Sequence, residues 1–249
     1  MTDAALRERV EAIHQATKGI YGAPRICAEL ADDHAIFVSR ERVARLMREA
    51  QIRGVAAKRG PRSQSCGPEG PAAPGLVRRN FTATAPNQLW VADITYVPTW
   101  EGWLFSAVVI DAFSRRCVGW SMRNDLKAEL VIDALGMAVT RRAPEGEVVH
   151  HSDRGSQYAS LAFGTTLAES GIAASMGSRG DAYDNAAAES FMATIKKELI
   201  HRQTFRSRNA ARLAIFDYIE CFYNPIRLHS TLGQKSPVNY ELAAAAAGS

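Results

Sequence analysis

The chain has no run of eighteen or more apolar residues, so no membrane-spanning helix is expected. Its N-terminus lacks a basic start followed by an apolar stretch, so nothing points to export. Cysteine is scarce: Cys27, Cys66, Cys117 and Cys221 stand far apart and form no CxxC pair. That spacing argues against a zinc site or a disulfide framework and suits a reducing cytoplasm. What remains is ordinary globular composition, with 47% hydrophobic and 22% charged residues in 249. The length allows one large domain or two smaller ones.

The formal charge of +4 is unevenly placed. Residues 1–85 carry fourteen Lys and Arg against nine Asp and Glu, whereas residues 86–249 carry sixteen against seventeen. A basic N-terminal part points to a polyanionic partner. In it, Leu6, Val10 and Ile13 recur at helical spacing over residues 4–16. Pro24 fits the first turn of a second helix over 24–32, and Ser39 caps a third over 40–50. The third helix sets Val43, Leu46, Met47 and Ala50 on one stripe and Arg40, Arg42, Arg45 and Arg48 elsewhere. Such a trio suits a helix-turn-helix module reading DNA, or a small bundle with a solvated basic face. These residues alone do not separate the two readings.

Four prolines and four glycines fall within residues 58–79, beginning at Lys58-Arg59-Gly60-Pro61. This composition predicts a basic, flexible linker over 58–85. Beyond it the period changes. Residues 89–97 alternate as a strand, 103–110 form an apolar run, and 117–122 make a third strand of an antiparallel meander. A helix over 126–142, a strand over 147–150, a helix over 159–169 and a strand over 172–176 follow, then helices over 185–201 and 207–223. The order βββαβαβαα predicts an α/β sheet with helices on both faces. The alanine-rich end, 243–249, reads as a tail.

Three carboxylates stand where packing does not call for one. Asp93 interrupts an apolar strand, Asp153 closes another, and Glu189 lies in the first turns of a helix capped by Asp184 or Asn185. Thirty-five residues separate Asp153 from Glu189. Each has a plain structural reading: a surface strand residue, a turn initiator and a dipole-favoured helix start. Together they predict a site at a sheet edge. Three converging acids repel one another unless a hard cation such as magnesium joins them. Two such ions can clamp the attacking and leaving oxygens of a displacement at phosphorus.

The motifs around these acids are Trp90-x-x-Asp93-x-Thr95-Tyr96, Asp111-x-Phe113-Ser114-Arg115, His151-Ser152-Asp153-x-Gly155-x-Gln157-Tyr158, Asp184-Asn185-x-x-x-Glu189-Ser190-Phe191 and Tyr223-Asn224-x-x-Arg227-x-His229. Together they resemble bacterial insertion-sequence transposases, specifically the second-reading-frame product of the insertion-sequence-three family. The resemblance runs from Ile20 to Tyr240. It implies a ribonuclease-H-like, integrase-like core: a five-stranded mixed sheet with helices on both faces, preceded by a helix-turn-helix domain. It also implies a division into residues 1–57 (DNA-binding), 58–85 (linker), 86–205 (catalytic core), 206–242 (helical extension) and 243–249 (tail).

On that resemblance Asp93, Asp153 and Glu189 form the catalytic, metal-binding triad, with two Mg2+ ions per site and Mn2+ as a substitute. Lys196 contacts terminal DNA. Arg40, Arg42, Arg45, Arg48, Lys58, Arg59 and Arg227 are further DNA-binding candidates, Arg227 and His229 having bracing as the other role. For Asp111, turn initiation is the expected role. The resemblance implies cleavage at transposon ends and strand transfer by a 3′-hydroxyl. The partners would be terminal inverted repeats and target DNA, a second copy of the chain, and an upstream reading-frame product or fusion carrying further N-terminal sequence. The place of work would be the bacterial cytoplasm, at the nucleoid. The alternatives are a non-catalytic DNA-binding regulator, or a nuclease of the same fold without joining activity.

Overall fold

The computed structural model describes residues 1–55, 83–153, 155–176 and 186–248. They fall into two units, Met1–Arg62 with Leu228–Lys235, and Ser63–Arg227 with Ser236–Ser249.

The first unit is built on three helices: α1 (Asp3–Ala16), α2 (Ala23–Asp32) and α3 (Arg40–Glu49). Their starts follow local chemistry. Thr2 Oγ1 accepts from Ala5 N, Pro24 occupies the first turn of α2, and Ser39 Oγ accepts from Arg42 N at 3.2 Å. The stripes of Leu6, Val10 and Ile13, of Ile26 and Leu30, and of Val43, Leu46 and Met47 meet in one core. Leu228 and Leu232 of the returning segment are buried as well, and the Leu228 N–H donates to Tyr21 Oη at 2.8 Å.

The second unit holds a five-stranded sheet of β1 (Leu89–Thr99), β2 (Gly102–Asp111), β3 (Cys117–Arg123), β4 (Val148–Ser152) and β5 (Ile172–Met176). The strand order is β3-β2-β1-β4-β5. The β1–β2–β3 meander is antiparallel, and β4 and β5 add parallel to β1. Helices α4 (Ala128–Arg142) and α5 (Leu161–Glu169) cover one face over Trp90, Ala92, Ala107, Val109 and Val118. Gly119 permits the approach of α4, since a Cβ there would stand 2.2 Å from the Ala134 carbonyl oxygen. The side chains of alternate register, among them Val91, Val97, Leu104 and Val108, are buried too. Helix α6 (Ala186–Glu198) packs on β1 and β2, and α7 (Arg208–Phe216) lies further along the same two strands.

The mixed sheet flanked by helices matches the expected architecture, with local differences. Helix α4 begins at Ala128, two residues late, and α5 waits for its cap at Ser160, whose Oγ accepts from Phe163 N at 3.2 Å. The helix expected over 207–223 is α-helical only to Phe216, and Asp217–Tyr223 widens into a π-helix. The alanines expected to form a tail are helical, within α8 (Pro237–Gly248). Their composition favours helix. Glu241 of α8 also holds Arg142 at 2.9 Å, Arg116 at 2.7 Å and the Ser114 hydroxyl at 2.7 Å. The expected linker lies outside the described residues except for its last three positions, and Lys58 and Arg59 lie outside them with it.

Candidate active site

The register of β1 and β4 decides where the acids stand. Val91 pairs with His151 in parallel, so two residues further Asp93, midway along β1, stands beside Asp153, just past the end of β4. Asp93 is half-buried, and its Oδ1 accepts from the Ile94 N–H at 2.7 Å. Asp153 is exposed, and its Oδ1 accepts from the Gly155 N–H at 3.0 Å. Gly155 serves this turn because a Cβ there would press on Asp153 Oδ1 at 3.0 Å. Glu189 is exposed in the first turn of α6. Lys196 follows on the same helix, two turns on. The expected caps Asp184 and Asn185 lie outside the described residues.

These groups act on one another. The Asp93 carboxyl is pushed up to about 7, first by burial and then by the negative charges of Asp153 and Glu189. The Ile94 N–H and the Lys196 ammonium pull the other way. Groups up to 103 positions apart in the chain (Asp93 and Lys196) therefore share one electrostatic environment. Carboxylate oxygens are the donors a hard divalent cation takes. Among the described residues, however, no three His, Cys, Asp or Glu side chains stand close enough to hold one metal ion. The set fits such an ion in donor chemistry and in charge, with its arms not drawn in.

Tyr158 is a neighbour to which the sequence reading gave no role. Its hydroxyl is buried and has no hydrogen-bond partner among the described residues. Burial and the charges of Asp93 and Asp153 hold it well above the usual phenol range. Its ring packs edge-on to Phe163 at 5.5 Å and beside His150 at 6.1 Å. His150 is kept neutral, pushed down to about 3 by burial and then by His151. His151 Nδ1 lies 3.0 Å from Ser175 Oγ, tying β4 to β5. The signal in the sequence was position alone: Tyr158 closes the motif that begins at His151.

The other candidates scatter. Arg227 is buried, its Nε and Nη2 donating to the two carboxylate oxygens of Glu198 at 2.7 Å each, with its guanidinium 5.7 Å from the Tyr223 ring centre. The Tyr218 hydroxyl donates to the same carboxylate at 2.8 Å. This is a bracing position, and a buried, doubly bonded guanidinium is not presented to a phosphate. On α3, Arg42 and Arg45 both pair with Asp3, and Arg45 also with Glu49. Arg40 and Arg48 are exposed. The main chain of His229 closes a turn with Lys235 in the first unit. Asp111 is wholly buried and accepts from the main-chain N–H groups of Asn87, Phe113 and Ser114, which is the turn-forming role expected of it.

Comparison with known proteins fits this geometry. Two family models described as integrase core domains match residues 83–182 and 189–243, and one described as an HTH-like domain matches residues 2–60. Among curated relatives, a transposase for insertion sequence element IS904 from Lactococcus lactis is 39% identical over 95% of this chain and 93% of its own length. The transposase InsF for insertion sequence IS3A of Escherichia coli is 42% identical over 90% of this chain and 78% of its own length. Among solved structures, a chain of the simian T-cell lymphotropic virus intasome is 16% identical, with a TM-score of 0.53 over 93% of this chain and 74% of that one. Among the described residues no helix is long and apolar enough to cross a membrane. With both parts of an integrase core and a helix-turn-helix-like domain matched along its length, the chain belongs to the insertion-sequence DNA transposases of the insertion-sequence-three family, enzymes of the polynucleotidyl transferase type.

Proposed function

We propose that Asp93, Asp153 and Glu189 are the catalytic carboxylates of this transposase, acting on phosphodiesters at the ends of its own element. The observation that carries this reading is the raised Asp93 carboxyl, which feels Asp153, Glu189 and Lys196 together. Magnesium, or manganese in its place, would supply Lewis acidity at phosphorus when bound, with two ions per site. Asp93, within β1, and Asp153, just past the end of the adjacent β4, offer oxygens side by side, and Glu189 offers them from α6. Lys196 puts a positive charge beside them that suits a terminal phosphate.

In the first step, water attacks phosphorus and the bond to the 3′ oxygen breaks, releasing a 3′-hydroxyl. In the second, that hydroxyl attacks another phosphodiester and expels its 3′ oxygen, so one bond is made for each one broken. Joining the element's own ends in this way gives a circular intermediate. Residues 1–57 serve as the DNA-reading domain, with Arg40 and Arg48 free to meet phosphates and Arg42 and Arg45 doing so only on leaving Asp3. Residues 58–85, including Lys58 and Arg59, serve as a basic linker, 86–205 as the catalytic core and 206–242 as its brace. Two DNA ends held at once require at least a dimer, working at the bacterial nucleoid. An upstream reading-frame product is the remaining partner.

The test is magnesium-dependent cleavage and joining of an oligonucleotide carrying the element's end, with and without the upstream product. Asp93→Asn, Asp153→Asn and Glu189→Gln should each abolish both steps while DNA binding persists. Cleavage that survives any of the three removes that residue from the triad. Cleavage without joining of a pre-cut 3′-hydroxyl end identifies a nuclease, and binding without either step a regulator.

A further inference from the structure

β1 and β2 run on past their neighbours. On β1, β4 pairs with Leu89–Val91, and on β2, β3 pairs with Phe105–Ile110. The remainder of the hairpin, with its turn at Trp100-Glu101, projects as a two-stranded arm from the edge at which Asp93 and Asp153 emerge. One face of the arm is bolted down. Val97 and Leu104 are buried, α7 packs on both strands, and Thr99 forms a parallel bridge with Phe205. Glu101 accepts from the Arg208 N–H at 2.9 Å, and Arg208 Nε donates to the Trp103 carbonyl at 3.0 Å.

The opposite face and the turn leave aromatic side chains exposed among the described residues. Trp100 is 69% exposed, Trp103 54% and Tyr96 49%. Tyr96 meets Trp103 edge-on at 6.3 Å and Phe105 at 5.3 Å. The exposed Arg206 holds its guanidinium 5.3 Å from the Trp100 ring centre. A held arm that leaves three large aromatic side chains in water is not explained by folding. Aromatic faces with arginine beside them are the chemistry that takes unpaired bases: π-faces stack, and cations meet the backbone. A second copy is the poorer occupant, because a like face would set the exposed Arg206 against its own kind. Position agrees with DNA. At ~3.3 Å per residue, Tyr96 stands ~10 Å and Trp100 ~23 Å along β1 from Asp93, a span of roughly three to seven base steps.

We propose that this arm is a stacking platform for unpaired bases of the DNA strand flanking the phosphodiester held at Asp93. The placement rests on the transposase site proposed above; the stacking does not. The test uses the full-length chain, first with single-stranded oligothymidylate and no metal. Trp100 and Trp103 are two of the four tryptophans, so binding should quench fluorescence in the wild type, and Trp100→Ala/Trp103→Ala should abolish that change and weaken binding by about tenfold or more. Trp100→Phe/Trp103→Phe should keep binding within about threefold, because a π-face remains.

The second measurement compares a forked transposon end, unpaired beyond the cleavage point, with the same end fully paired. The alanine variant should lose affinity and cleavage on the fork and keep both on the paired end. Equal loss on both substrates, or no loss on either, overturns the proposal. So does a wild type that sediments as a larger species than the alanine variant, which assigns the face to a second copy. Circular dichroism and melting temperature establish that the variants are folded. Oligothymidylate bound through the tryptophans by a chain that cleaves no end sinks the catalytic reading alone. Normal cleavage with no such binding sinks the arm alone.

Discussion

Replacing Asp93 with Asn should stabilise the protein, and only above a definite pH. The carboxyl sits at about 7 in the folded chain against an ordinary 3.8. Between those values the folded chain keeps a proton that the unfolded chain has released, so stability falls as pH rises through that window and the full cost is present above about 7. Three units correspond to ~4 kcal/mol at 1.36 kcal/mol per unit, and partial exposure screens some of it, leaving about 2–4 kcal/mol. Asparagine keeps the Oδ1 that accepts from Ile94 and lacks the charge. At about 2–4 °C per kcal/mol, Asp93→Asn should melt roughly 4–16 °C above the wild type at pH 8 in EDTA, and the two should coincide near pH 4. Saturating magnesium at pH 8 should raise the wild-type melting temperature and close most of the gap, since a cation that binds the folded state stabilises it. Melting curves followed by circular dichroism from pH 4 to pH 9 decide the matter. Parallel curves for the two proteins, or a variant less stable at pH 8, would refute the argument that Asp93 carries a charge the fold resists.

Two further predictions concern the interior. Arg227→Leu should cost about 3–5 kcal/mol in urea denaturation, because Glu198 is left buried with its charge unpaired, while Arg227→Met with Glu198→Gln should recover most of that loss; equal losses in the single and double variants would remove the pair from the fold's support. Tyr158→Phe should leave stability unchanged or raise it by about 1 kcal/mol, since the hydroxyl it deletes has no partner among the described residues. A loss larger than about 1 kcal/mol would show that the hydroxyl is held.

What could be read from the sequence followed what is local. The alternation of residues 89–97, the proline at position 24 and the serine at 39 report backbone preferences within a few residues, and β1, α2 and α3 lie close to where they were expected. Partnerships at long range were not legible. Asp3 occupies two arginines of α3, Arg42 and Arg45, that α3's own pattern left facing solvent. Arg227 stood as a DNA-binding candidate with bracing as its other role, and Glu198, twenty-nine positions earlier, holds it inside. The π-helix at 217–223 escaped because a widened turn keeps nearly the apolar spacing of an α-helix. For the acids, likeness of motif grouped what period could not: no local pattern encodes that Asp93 feels Glu189.

The return of Leu228–Lys235 to the N-terminal helices bears on how such proteins diversify. The helical unit is discontinuous, completed by the eight residues Leu228–Lys235, which follow most of the second unit in the chain. An exchange of DNA that replaced only the part encoding residues 1–55 would join helices from one lineage to a closing segment from another, and the Tyr21 hydroxyl would meet a main chain it had not been matched to. New specificities for DNA should therefore arise in this lineage by point substitution on exposed helix faces more readily than by shuffling the helical unit as a cassette. A grafting experiment that moves residues 1–55 should move 228–235 with them.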